Sequence, residues 1–280
     1  MNPLPGNQTA PFIPARSTRR RFKLLLWGDS GSGKTTLSLQ FPKPAVIDLE
    51  GGTEHYGEDF QFDVLKATTA DEITRAVDWL RTSEHEYRTL VIDPITLYWD
   101  ALQQKWSDIF MRRNKGSKGH RLDYYDLQPR DWMRIKAEHK ELIRKLIGLD
   151  MNVIVTARQK AQYADSGFMR VIGETFDGEK SLPYLFDTIL RFYRDDKGRF
   201  MAENLKDRTG RLPQGTFEIS YQVLEERLGK DALGRKSEPI RLWPHRAKSI
   251  PSDSSLLPRV WKKRRCVCAC GPTGPTGWKP

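Results

Sequence analysis

Eight residues near the start of the chain, Gly28-Asp29-Ser30-Gly31-Ser32-Gly33-Lys34-Thr35, leave little freedom in how the rest can fold. They follow the apolar run Phe22 to Trp27, which reads as a buried strand, and open the segment Thr35 to Phe41, which reads as a helix stopped by Pro42. Strand, glycine-rich turn and helix is the context in which the pattern G-x-x-x-x-G-K-[ST] grips phosphate. The glycines let main-chain N–H groups turn toward phosphate oxygens at the positive end of the helix. Lys34 then supplies a point charge for the β- and γ-phosphates, and the Thr35 hydroxyl is a ligand for Mg²⁺. Residues 28–36, Thr36 included, are the expected nucleotide-contacting stretch, with ATP and Mg²⁺ as cofactors.

Two further apolar runs end in acids. Leu90-Val91-Ile92-Asp93 is a strand closing on a carboxylate that can hold the magnesium shell. Ala45 to Leu49 is another strand, followed by Glu50, an acid able to orient and deprotonate a water beside a γ-phosphate. The alternative for this acidic strand end is a cap on the Gly51-Gly52 turn. Thr69 and Glu72 have capping-box spacing, and Ile73, Ala76, Val77 and Leu80 form one helical face behind them. An aromatic-rich helix is predicted from about Pro94 to Met111 and an amphipathic one from about Asp131 to Leu149. Asn152 to Ala157 is a fourth strand, and Arg158 to Lys180 reads as a polar loop. Thr188 to Tyr193 and Arg199 to Leu205 alternate around Asp195-Asp196-Lys197-Gly198, a hairpin signal. Strands alternating with helices and ending in a hairpin predict an α/β fold, a mostly parallel sheet flanked by helices with an antiparallel edge.

At 280 residues the chain accommodates one large domain with tails. The expected division is a basic arm over 1–20, the ATPase domain over 21–228 and a basic tail over 229–280. A formal charge of +11 favours polyanionic partners. Part of it lies in Arg16, Arg19, Arg20 and Arg21 and in the run from Lys262 to Arg265. No apolar run is long enough to span a bilayer, so no membrane association is expected. The three cysteines, Cys266, Cys268 and Cys270, fall in the tail, where they could hold a soft metal, and the cysteine-free core suits a reducing cytoplasm. The scattered histidines at 55, 85, 120, 139 and 245 read as solvated.

With these residues in order, residues 20–225 resemble the RecA/RadA-type ATPase core. More narrowly, they resemble the phage-encoded nucleotide-binding proteins of that superfamily that act in single-strand annealing and recombination. The resemblance implies that Glu50 is the catalytic base, Asp93 the Mg²⁺-shell acid and Tyr56 the aromatic stacked on adenine. Lys206-Asp207-Arg208-Thr209-Gly210 is similar to the Lys-Asn-Arg-Phe-Gly box of RadA proteins. It implies that Lys206 and Arg208 reach the nucleotide of a neighbouring subunit; the other reading is a solvated charged turn. Two loops of such cores contact single-stranded DNA. Arg112, Arg113, Lys115, Lys118 and Arg121 occupy the first place, and Lys160, Tyr163, Phe168 and Arg170 the second, with Phe176 packing beneath it. The implied partners are single-stranded DNA, further copies of the chain in a ring or filament, and a single-strand-binding protein, in a host bacterial cytoplasm. Strand four ends in Thr156-Ala157-Arg158-Gln159, so the residue sensing phosphate is Arg158 or Gln159, and Pro94 departs from the small polar residue usual after the Walker B acid. Two rival functions share the loop: a replication motor or helicase loader acting on duplex or protein, and a small-molecule kinase, which would need an arginine-bearing lid.

Overall fold

The computed structural model describes residues 21–113, 127–164 and 170–233. Its frame is a nine-stranded sheet in the order β3-β2-β4-β5-β1-β7-β8-β9, with β6 paired to the outer part of β5. The strands are β1 (Lys23–Gly28), β2 (Pro44–Asp48), β3 (Asp63–Lys66), β4 (Thr89–Asp93), β5 (Asn152–Tyr163), β6 (Val171–Phe176), β7 (Thr188–Arg194), β8 (Phe200–Asp207) and β9 (Gly215–Glu218). The run from β3 across to β7 is parallel, whereas β8 and β9 complete an antiparallel edge. The helices are α1 (Lys34–Leu39), α2 (Ala70–Thr82), α3 (Ile95–Arg113), α4 (Pro129–Ile147), α5 (Leu182–Leu185), α6 (Tyr221–Leu228) and α7 (Lys230–Leu233). This is the predicted α/β arrangement, a mostly parallel sheet between helical layers with an antiparallel edge.

The strand period of two explains why both faces are apolar. Along β1, Leu25 and Trp27 enter one core with Ile73, Val77, Leu102, Ile135 and Leu142 from α2, α3 and α4. Leu24 and Leu26 enter the other, with Leu37, Ile154, Phe192, Tyr221 and Leu224. Each such buried aliphatic side chain contributes about 1.5–3 kcal/mol before conformational entropy is subtracted. The Thr69–Glu72 capping box is formed in full, and Ile73, Val77 and Leu80 are buried as their spacing predicts.

Several elements differ from the sequence reading. β3 was not foreseen; all four of its side chains are exposed, so it carries no apolar run. The predicted loop from Arg158 to Lys180 contains a β-hairpin: β5 continues past Ala157 to Tyr163 and pairs antiparallel with β6. Helix α3 runs to Arg113, so Arg112 and Arg113 belong to its last turn rather than to a loop. His139 is buried, not solvated, between the rings of Tyr98 and Trp99 at 5.8 and 5.2 Å. Burial pushes its pKa down to about 4. Packing also continues beyond residue 228, since Leu233 is buried and its carbonyl accepts from Asn152 Nδ2 at 2.8 Å. The arm, Lys115, Lys118, Arg121, Phe168 and the cysteine tail lie outside the described residues.

Candidate active site

The glycine-rich loop leaves β1 at the C-terminal end of the parallel strands. Gly28 is dictated by close approach: a Cβ there would stand 2.0 Å from the Phe192 carbonyl oxygen on β7. Gly31 and Gly33 have φ of +72° and +91°, the left-handed turn that brings the chain back over itself into α1. Ser32, buried, donates through Oγ to the Asp29 carbonyl at 2.8 Å and braces that turn. Lys34 Nζ lies inside the loop, donating to the carbonyls of Gly28 at 2.9 Å and Asp29 at 2.6 Å. Burial lowers its pKa below the ordinary lysine value, against the opposing charges of Asp93, Asp29 and Glu50. Thr36 follows on α1, where its carbonyl accepts from Gln40 at 3.2 Å.

Asp93 joins two neighbouring strands to the loop. Its Oδ2 accepts from Thr35 Oγ1 at 2.5 Å, and its Oδ1 accepts from the Thr156 hydroxyl on β5. Burial raises its pKa; the two hydroxyls and Lys34 oppose the rise and Glu50 adds to it. Thr35 and Asp93 thus present the adjacent hard oxygens that Mg²⁺ prefers. Thr156 was absent from the predicted site residues. Its role depends on β5 lying beside β4, which spacing along the chain does not reveal.

The two acids where β2 ends, Asp48 and Glu50, differ in setting. Asp48 is the structural one. Its Oδ1 accepts from the N–H groups of Glu50 at 2.9 Å and Gly51 at 2.8 Å, and its Oδ2 from the Thr53 N–H at 2.9 Å and hydroxyl at 2.6 Å. Burial would raise its pKa, but those hydrogen bonds outweigh it and leave the value lowered. Glu50 is held out over the cleft and pairs with Arg158 at 2.6 Å. Gln159, one residue on, donates through Nε2 to Asp29 Oδ1 at 3.2 Å. Its Oε1 is buried without a partner among the described residues.

These groups surround a cleft of about 550 Å³ whose lining includes Lys34, Thr35, Glu50, Asp93, Arg158 and Gln159. Tyr56 also lines it, with its ring 6.5 Å from that of Phe60. The volume is in the range of a nucleotide pocket. The oxygen pair at one wall, the lysine in the loop and the orphaned Gln159 acceptor suit a magnesium-bound triphosphate and a water. Arg194, which the sequence reading missed, reaches the loop from the end of β7. Its Nε donates to the Gly31 carbonyl at 2.9 Å while its guanidinium lies 4.4 Å over Phe200.

Other predicted site residues lie elsewhere. Lys206 donates to the Pro183 carbonyl at 2.8 Å, and Arg208 pairs with Asp187 at 3.1 Å. Both sit where β8 meets the start of β7, the end of the sheet opposite the loop. Arg112 Nε donates to the Asp108 carbonyl at 3.2 Å, and Arg113 approaches Asp131 at 3.8 Å and the Trp106 ring at 5.9 Å. Lys160, Tyr163 and Arg170 line the β5–β6 hairpin, with Lys160 paired to Asp177 at 2.7 Å. Phe176 packs on the main core, in keeping with its expected place beneath the hairpin.

No curated protein sequence matches the chain significantly. The crystal structure of a RadB recombinase is similar to it at 20% identity, with a TM-score of 0.44, over 73% of this chain and 90% of that one. The profile of the AAA domain matches residues 20–212, from the entry to β1 past the end of β8. That span contains the loop, Glu50, Asp93 and the residues closing β5, and the chain belongs to the AAA-domain family of P-loop ATPases.

Proposed function

We propose that the chain is an ATP-hydrolysing, RecA-like protein that binds single-stranded DNA and promotes its annealing or recombination. The observation that carries this reading is the path of β5. The strand is buried from Asn152 to Ala157, between the P-loop strand and the Asp93 strand. From Arg158 it turns largely exposed and projects as a hairpin bearing Lys160, Tyr163, Arg170, Val171 and Ile172. Cations that follow a phosphate backbone and an exposed ring on which a base stacks give sequence-tolerant single-strand binding. That surface continues the strand whose residues Thr156 to Gln159 line the cleft.

In this reading Lys34 and the loop amides bind the triphosphate, Thr35 and Asp93 hold Mg²⁺, and Tyr56 stacks on adenine. The metal neutralises charge on the phosphates when bound. Glu50 takes the proton of the attacking water. Lys206 and Arg208 serve the nucleotide of a neighbouring copy in a ring or filament. Arg112, Arg113 and the basic segment after them extend the DNA-binding surface. A phage setting, with a single-strand-binding protein as companion in the host cytoplasm, belongs to the same reading.

The test is ATP hydrolysis with and without a single-stranded oligonucleotide, followed by annealing of complementary labelled strands. Stimulation that falls steeply with salt is expected. A variant with Lys160, Tyr163 and Arg170 all replaced by Ala should lose oligonucleotide binding and stimulation while still binding ATP. Stimulation by duplex alone would favour the motor or loader instead.

A further inference from the structure

The edge hairpin formed by β7 and β8 touches the glycine-rich loop at two points. Arg194 and Phe200 stand opposite each other across its strands, with the Arg194 guanidinium 4.4 Å over the Phe200 ring. Arg194 Nε donates to the Gly31 carbonyl at 2.9 Å. The Phe200 ring lies against Gly33, where a Cβ would come within 2.7 Å of its Cδ1. The turn joining the two strands is itself held. Asp195 Oδ1 accepts from the N–H groups of Lys197 at 3.0 Å and Arg199 at 2.8 Å, and its Oδ2 accepts from Arg199 Nε at 2.7 Å. The hairpin thus offers the loop a fixed bracket.

The contact at Gly31 sets a peptide plane. In a trans peptide the carbonyl and the N–H of the next residue point to opposite sides. With the Gly31 carbonyl turned out to Arg194, the Ser32 N–H faces the inside of the turn, where it donates to the Asp29 carbonyl at 3.3 Å. Ser32 Oγ and Lys34 Nζ reach the same oxygen at 2.8 and 2.6 Å, so three donors converge as they would on a phosphate oxygen. Packing does not hold this plane: Gly31 has φ of +72°, and a Cβ there would meet no atom within 4 Å. The Ser32 bond is longer than an ordinary N–H···O contact, whereas the Arg194 bond is of normal length and carries a charge. A peptide turned over would aim its carbonyl at the phosphate seat and repel the anion.

We propose that Arg194 is a positioning residue, which holds the Gly31–Ser32 peptide in the orientation that receives the phosphate chain, with Phe200 as its platform. The inference rests on the cleft's reading as a nucleotide site. A loop set in advance loses no affinity to its own rearrangement. Its amides cradle the α- and β-phosphates, which di- and triphosphates share. The brace therefore serves both alike and takes no part in cleavage.

Calorimetric titration of the full chain with ADP and with a non-hydrolysable ATP analogue, each with Mg²⁺, tests the brace. Arg194→Ala should weaken both by the same factor, about five- to tenfold. At saturating ATP its turnover should stay within about twofold of the parent's, the mark of binding lost equally from ground and transition states. Arg194→Lys keeps a donor for the carbonyl and should recover part of the affinity. Phe200→Leu should cost about two- to threefold, and nothing further once residue 194 is alanine. The denaturation midpoint of nucleotide-free Arg194→Ala should match the parent's; a merely structural contact would lower it. With a parent that binds both nucleotides, four results overturn the brace alone. They are unchanged affinities, a loss confined to the triphosphate analogue, a fall in turnover with affinities intact, and a lowered denaturation midpoint. If the parent binds neither nucleotide, the nucleotide reading of the cleft fails and the brace with it.

Discussion

The two ends of the central sheet carry similar charges and use them in opposite ways. At the C-terminal end of the parallel strands, Lys34, Thr35, Glu50, Asp93 and Arg158 come from four different segments and face one cleft. At the other end, a larger cleft of about 750 Å³ is lined by Arg21, Lys23, Asp150, Asp187, Arg208 and Arg211, among others. There, Arg21 pairs with Asp150 at 2.7 Å and Arg208 with Asp187 at 3.1 Å. Lys23 Nζ clasps the carbonyls of Leu149 and Met151 at 2.8 and 2.7 Å. Pairing is common to both ends; what sets the smaller cleft apart is its lining, a glycine-rich turn around a lysine beside the hard oxygen pair of Thr35 and Asp93. The contrast also shows that one protomer cannot bring Arg208 to its own Lys34, so any joint action needs a second copy.

The largest test of this contrast concerns the far end. Arg208→Ala should leave nucleotide binding intact yet lower turnover by about 10³–10⁵, the worth of an arginine supplied in trans. Mixing Arg208→Ala subunits with Lys34→Ala subunits should restore part of the rate. Normal turnover by Arg208→Ala would show that the far end only caps the hairpin, and the comparison would break. Gly28→Ala probes the near end. Its methyl would collide with a main-chain oxygen that cannot rotate away, so β1 and β7 must part. A loss of about 3 kcal/mol in chemical denaturation is expected, with nucleotide binding lost as well. Thr156→Val, smaller again, removes one hydroxyl from Asp93 at a cost of about 1.5–3 kcal/mol in the ionised form. Burial already raises the Asp93 pKa, and this loss raises it further. Mg²⁺ needs the carboxylate, so magnesium-dependent nucleotide binding, which fades as pH falls through that pKa, should fade at a higher pH in the variant. The smallest effect belongs to Thr69→Ala, at the N-cap of α2 and outside the lining of either cleft. Losing its cap should cost about 1 kcal/mol of stability and leave ATP hydrolysis unchanged; a kinetic effect there would mean the two ends are not the separate units described.

Local chemistry was legible in the sequence and neighbourhood was not. The loop, the acids at 50 and 93, the capping box at Thr69 and the β7–β8 hairpin all announce themselves within a few residues. Buried parallel strands read as apolar runs because both their faces are covered. β3 and the outer part of β5 escaped notice because exposed strands lack that run. Thr156 on Asp93, Gln159 on Asp29 and Arg194 on Gly31 were invisible for a different reason. Each depends on strand order in space, and β5 and β7 flank β1 although more than a hundred residues separate them from it. Asp48 and Glu50 looked alike as acids on one strand end. Only the turn to Thr53 distinguishes the acid that builds the corner from the acid that the corner presents.

The placement of β5 has a mechanical consequence. Six of its residues, Val153 to Arg158, are laddered to β1 on one side, and Asn152 to Val155 are laddered to β4 on the other. Its free end stands outside the sheet as a two-stranded arm. A strain applied to that arm would fall first on a strand hydrogen-bonded to both the strand that carries the glycine-rich loop and the strand that ends in Asp93.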